Sequence, residues 1–154
     1  MTSLYIKDSK YNLIFYFYRD SICFMNVRFP KEEKLKSKKC IELLFSEGKA
    51  VSKFPLRLVY IATNLPNDVP IQAGVSVTKR RFKKAVTRNR IKRLMREAYR
   101  LHKNDVFNKI STSYAFMFLY LGKLEPTFEE IETSMVRLLQ KFLEEIEATT
   151  TPEK

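Results

Sequence analysis

Residues Phe82–His102 read FKKAVTRNRIKRLMREAYRLH. Ile91, Leu94, Met95, Ala98 and Leu101 recur at steps of three and four, the spacing that lines one face of an α-helix. The other faces of that helix are almost solidly basic, so one side belongs to a core and the rest to something outside it. The neighbouring segments must supply the core. Upstream, Leu56–Ala62 (LRLVYIA) is rich in β-formers, and Ile71–Val77 (IQAGVSV) follows it as a second strand after the turn-rich Leu65–Pro70 (LPNDVP). Together they predict a hairpin. Downstream, Tyr114–Leu121 (YAFMFLYL) is a continuous apolar run short enough for a buried central strand; following a helix, it can pair in parallel.

The ends of the domain carry helix signals. Ser37 stands at the N-cap of Lys38–Glu47, which places Ile41, Leu44 and Phe45 on one face before Gly48 closes it. Thr127 and Glu130 have capping-box spacing, and Ile131, Met135, Leu138, Leu139, Phe142 and Ile146 continue an amphipathic stripe. The predicted order is α-β-β-α-β-α, an α/β protein in the sense of a two-layer α+β sandwich on a small mixed sheet.

At 154 residues the chain has room for one core, and its 45% apolar and 13% aromatic content excludes a disordered basic tail. The net charge is +12. Between Lys79 and Lys103 lie Lys79, Arg80, Arg81, Lys83, Lys84, Arg88, Arg90, Lys92, Arg93, Arg96, Arg100 and Lys103, opposed only by Glu97, so +11 sits in this one segment. Gly122–Lys154 holds 4 basic and 8 acidic residues, for −4. On a helix Arg88, Lys92, Arg96 and Arg100 form one row, with Asn89 and Arg93 beside it. Like charges at that spacing cost roughly 0.2 to 0.5 kcal/mol per pair, a penalty that a polyanion relieves. A membrane-surface helix would need its apolar stripe exposed, whereas here the strands require that stripe. The reading is nucleic-acid binding: the spread of Arg over more than one face suits RNA backbone and shape contacts as well as a DNA major groove, although no dimer element for paired DNA half-sites is evident.

Cys23 and Cys40 are too few for a disulfide framework and lack metal-site spacing, which fits a reducing cytoplasm. The single His102 reads as a surface or helix-end residue, and Glu129, Glu130, Glu132, Glu144, Glu145 and Glu147 read as solvated helix positions. No metal ligands and no protein-borne catalytic residues are expected. Leu13–Tyr18 (LIFYFY) is too short to span a bilayer and lacks the context of a secretory signal. Residues 1–24 are expected to be a disordered or artefactual extension with Met25 as the natural start, an extra strand being the alternative. Residues 25–147 are expected to form a single RNA-binding domain, and 148–154 a disordered tail.

The run Ala85–Arg93 (AVTRNRIKR), with its Arg-Asn-Arg core followed by Ile-Lys-Arg and extended by Leu94–Arg100 (LMREAYR), resembles the signature of the protein subunit of bacterial ribonuclease P. Val75–Lys79 (VSVTK) is similar to the family's strand leading into that helix. Leu35–Gly48 (LKSKKCIELLFSEG) is similar to its first helix, with Tyr60 on the strand that follows, so the resemblance covers about Phe29–Ile146.

The resemblance implies a fold like the second domain of ribosomal protein S5. It also implies a protein that binds the catalytic RNA and the 5′ leader of precursor tRNA, while that RNA, with Mg²⁺ held by RNA and substrate, performs the cleavage. RNA contacts are expected from Lys79, Arg80, Arg81, Lys84, Arg88, Asn89, Arg90, Lys92, Arg93 and Arg96. A leader cleft is expected at Ile41, Phe45 and Tyr60. Neither DNA nor a membrane is an expected partner; the alternative is a ribosomal or other structural RNA-binding protein without cleavage activity. Two positions depart from the family pattern. Ile41 replaces the usual aromatic, and Lys79–Lys84 (KRRFKK) lacks the glycine common before the Ala-Val pair, predicting a longer or re-shaped lead-in to the helix.

Overall fold

The computed structural model describes residues 5–8, 13–18, 21–26 and 28–150, the first three segments as backbone only. Strands β1 (Tyr5–Asp8), β2 (Leu13–Tyr18) and β3 (Ser21–Asn26) pair antiparallel in that order. The extension expected over 1–24 falls on these strands and on residues outside the described ones. The remaining elements are α1 (Lys38–Glu47), β4 (Lys49–Lys53), β5 (Leu56–Ala62), β6 (Ile71–Val77), α2 (Ala85–Phe107), β7 (Tyr114–Tyr120) and α3 (Phe128–Thr150). Helix α3 continues past 147, where the tail was expected to begin; residues 151–154 lie outside the described residues.

The second sheet has the order β4-β5-β7-β6, with β4–β5 and β5–β7 antiparallel and β6–β7 parallel. The hairpin expected between β5 and β6 does not form, because β7 lies between them. An all-apolar strand is stable where it is paired on both edges and covered on both faces, and the centre of the sheet gives β7 both. The parallel pairing of β6 and β7 needs a crossover, and α2 is that crossover. Strand β4, which the sequence reading lacked, is the edge strand next to β5. Lysines at both its ends suit an exposed edge.

The sheet separates two cores. Leu56, Leu58 and Tyr60 of β5, Ile71, Ala73 and Val77 of β6, and Phe116, Phe118 and Tyr120 of β7 pack against Ile91, Met95, Ala98 and Tyr99 of α2 and against Ile131, Met135, Leu138 and Phe142 of α3. On the other face Val59, Ile61, Ala115, Met117 and Leu119 meet Leu44, Cys40 and Ile41 of the shorter α1. The caps form as predicted. The Ser37 hydroxyl accepts from Cys40 N at 3.4 Å, and Thr127 and Glu130 exchange side chain to backbone bonds of 2.9 and 3.3 Å. Gly48 closes α1 by close approach, since a Cβ there would lie 2.1 Å from the Leu44 carbonyl oxygen.

The segment before α1 runs along the β6 edge, with Leu35 N donating to Ala73 O at 3.1 Å and Gln72 Nε2 to Glu32 O at 2.9 Å. A buried ion pair ties this segment to α2. Lys103 Nζ lies 2.6 Å from Glu33 Oε2 and also donates to the Arg28 carbonyl; the two side chains are 3% and 12% exposed. Beside it Tyr99 packs edge-on against Phe29, its ring centroid 5.6 Å away. The Tyr99 hydroxyl has no hydrogen-bond partner among the described residues.

Candidate nucleic-acid interface

Lys79–Lys84 is a stapled loop. The Thr78 carbonyl accepts from Arg81 N at 3.3 Å and Phe82 N at 3.2 Å, which makes the turn. Phe82 then plugs into the core against Tyr120, with centroids 5.8 Å apart. Arg88 reaches back from the first turn of α2 to donate to the carbonyls of Phe82 (2.8 Å) and Lys83 (2.7 Å), and Arg81 donates to the Leu121 carbonyl. The departure from the family pattern therefore starts the helix at Ala85 rather than 82, with Phe82 reaching the core from the loop. Lys84 sits at the N-cap without a capping side chain, leaving the positive end of the helix dipole to face whatever binds there.

Beyond that loop the cations line the outer faces of α2. Lys79, Arg80, Arg81, Lys84, Asn89, Arg90, Arg93 and Arg96 are exposed, and Arg88 and Lys92 are half-buried. Among the described residues Lys79, Arg80, Lys84, Lys92, Arg93 and Arg96 form no ion pair. Arg100 pairs with Glu97 at 2.6 Å, whose carboxylate bond holds the guanidinium pKa above its ordinary value. Arg90 lies 3.4 Å from Glu125, whose other carboxylate oxygen accepts from the Thr87 hydroxyl at 3.1 Å. Glu125 and Lys123 lie on the loop between β7 and α3, and no local pattern in the sequence marks either as part of this surface.

The three residues expected to form a leader cleft are not brought together. Ile41 and Phe45 share α1, where Ile41 touches the smaller core and Phe45 is 55% exposed. Tyr60 faces the opposite core. Its ring meets Phe142 at 4.8 Å and its hydroxyl donates to Glu145 at 2.8 Å; burial, and then that carboxylate, push its pKa well up. The reason is the two-residue period of a strand, which puts Tyr60 in phase with buried Leu56 and Leu58. The β5 residues facing α1 are Val59 and Ile61, with Arg57 exposed in the same phase.

Several acidic and titratable side chains also have partners where solvated positions were expected. His102 is half-buried between α2 and α3, 2.9 Å from Glu132, and Glu130 and Glu145 are engaged as above. Among the described residues no three His, Cys, Asp or Glu side chains are grouped to hold a metal ion. Nor is any helix among them long and apolar enough to cross a membrane.

Known proteins resemble this chain in sequence and in fold. The family model for ribonuclease P matches residues 29–143. The ribonuclease P protein component of Porphyromonas gingivalis is 39% identical over 112 residues, covering 71% of this chain and 82% of that protein. Its counterpart in Chlorobaculum tepidum is 31% identical over 126 residues, covering 74% and 82%. The solved RNase P protein of Staphylococcus aureus superposes with a TM-score of 0.58 at 21% identity, over 73% of this chain and 96% of that one. The Thermotoga maritima protein gives 0.56 at 23%, over 71% and 96%. At those identities the two structures establish the fold.

Proposed function

Because the chain belongs to the family of ribonuclease P protein components, part of the ribonucleoprotein that cleaves tRNA precursors as an endoribonuclease, we propose that α2 and its lead-in loop bind the catalytic RNA and the adjoining 5′ leader. The observation that carries this reading is a set of cations that form no ion pair among the described residues, Lys79, Arg80 and Lys84 on the lead-in loop and Lys92, Arg93 and Arg96 on a helix whose other face is locked into the core. Unpaired surface cations at that density attract phosphates and release counterions from them. Arg90 joins them once RNA phosphate displaces Glu125. Arg88 acts one step back, holding the loop that presents Lys79, Arg80, Lys83 and Lys84.

The protein's contribution is electrostatic. Cations along α2 offset the repulsion between leader and catalytic RNA, so that both approach more closely and Mg²⁺ held by RNA and substrate is needed at lower concentration. The leader is bound on the α1 side of the sheet by Ile41 and exposed Phe45. An aromatic ring there can stack on an unpaired base, worth about 1–3 kcal/mol. The setting is the cytoplasm, where the RNA subunit and precursor tRNA are found together.

The test is reconstitution with cognate ribonuclease P RNA at low Mg²⁺, comparing wild type with Arg93→Ala and Arg96→Ala singly and together. Neither residue forms an ion pair among the described residues, so their loss leaves the fold intact. Precursor cleavage at low Mg²⁺ should fall with each substitution and recover as Mg²⁺ is raised. Equal cleavage by wild type and double variant at every Mg²⁺ concentration would refute the reading.

A further inference from the structure

The ends of the parallel strands β6 and β7 open between two loops into a cavity of about 590 Å³ lined by Thr78, Arg80, Arg81, Leu121 and Lys123. Three of its five lining residues are cations and one is a hydroxyl. Arg81 is fixed in place by donation to the Leu121 carbonyl, which leaves most of its guanidinium N–H groups to face a ligand. Arg80 and Lys123 are exposed and form no ion pair among the described residues. The nearest carboxylate in sequence, Glu125, is turned away onto Thr87 and Arg90. A cavity so lined is complementary to an anion such as a phosphate.

We infer that Lys123, from the loop between β7 and α3, completes with Arg80, Arg81 and Thr78 a pocket for a backbone phosphate of bound RNA. The inference rests on the RNA-binding reading of α2 and extends it to a second loop, far from α2 in sequence. The strand that lies along α2 crosses the lead-in loop and places one phosphodiester between Arg80 and Lys123. A free phosphate or nucleotide has the same chemistry but only the pocket to hold it, whereas RNA gains α2 as well.

Binding of cognate ribonuclease P RNA by the full chain is measured across a salt series for wild type, Lys123→Ala and a control, Lys109→Ala, on the loop after α2. Inorganic phosphate is titrated in parallel. Lys123→Ala should weaken RNA binding about 3- to 10-fold and lower the slope of log K against log salt by about 0.7 to 0.9, one phosphate contact. Lys109→Ala should leave the slope unchanged, and inorganic phosphate should compete only at millimolar concentrations. If wild type fails to bind the RNA, the reading of α2 falls. If wild type binds but Lys123→Ala keeps its slope, or Lys109→Ala loses as much, the pocket is refuted. Competition by micromolar phosphate would assign the pocket to a free anion and overturn the RNA assignment.

Discussion

Replacing Lys103 by Met removes one member of an ion pair that the fold has almost wholly withdrawn from water. Glu33, in a site 12% exposed, would lose the ammonium 2.6 Å away, and the Arg28 carbonyl would lose its donor. Breaking a pair so buried costs about 3–5 kcal/mol, most of it the penalty of stranding the remaining charge. For a chain of this size that corresponds to a fall in Tm of roughly 6–20 °C. The protein has no Trp, so urea unfolding is followed by far-ultraviolet circular dichroism. The informative variant is the double one. Lys103→Met with Glu33→Leu substitutes packing for charge, and should recover about half or more of the loss, since apolar replacement of buried pairs is often close to neutral. A loss under about 1 kcal/mol for Lys103→Met, or a double variant no better than the sum of the singles, would refute the claim that this pair fixes the segment before α1 onto α2.

Removing the orphaned hydroxyl with Tyr99→Phe should be neutral or stabilising by up to about 1 kcal/mol, read from the same urea curves. Burial raises the pKa of Tyr60, Tyr99, Tyr114 and Tyr120 above the ordinary 10. Below pH 10 both states hold these protons. Above it the unfolded chain loses them while the folded chain retains them, so stability should fall as pH rises past 10, checked by thermal melts from pH 8 to 11. Glu125→Gln releases Arg90 from a pair whose side chains are 69% and 45% exposed, and should tighten RNA binding about 1.5- to 5-fold at low salt, read as Kd. Arg88→Ala should weaken RNA binding and also raise hydrogen exchange across Thr78–Lys84, whereas Arg93→Ala should weaken binding alone.

The sequence is most legible where a signal is local. Ser37, Gly48 and the Thr127–Glu130 box set helix ends that the structure reproduces, and the apolar steps from Ile91 to Ala98 place α2 against the core, though Leu101, next in that stripe, stays outside it. Strand pairing is a different kind of fact. Nothing near Leu56–Ala62 or Ile71–Val77 says that the strand beyond α2 lies between them; only the need of YAFMFLY for neighbours on both sides decides it. Tyr60 shows the nearer failure, since its phase with Leu56 and Leu58 was visible and a reading by family position placed it on the wrong face. The basic surface was legible because charge density survives without coordinates. The roles of Glu125 and Lys123 were not, because a loop joins a site only through the fold.

Helix α2 is the link between edge strand β6 and inner strand β7, and it is held along its length by Ile91, Met95 and Ala98 in the core. Bending its row of arginines to suit a ligand would pull Ile91, Met95 and Ala98 out of the core. RNA thus meets a surface whose shape is already settled, and little ordering entropy remains to be lost by the protein on association. The adjustment falls to the nucleic acid and to the long side chains themselves. The spacing of the arginines acts as a fixed ruler against which a phosphate backbone is measured.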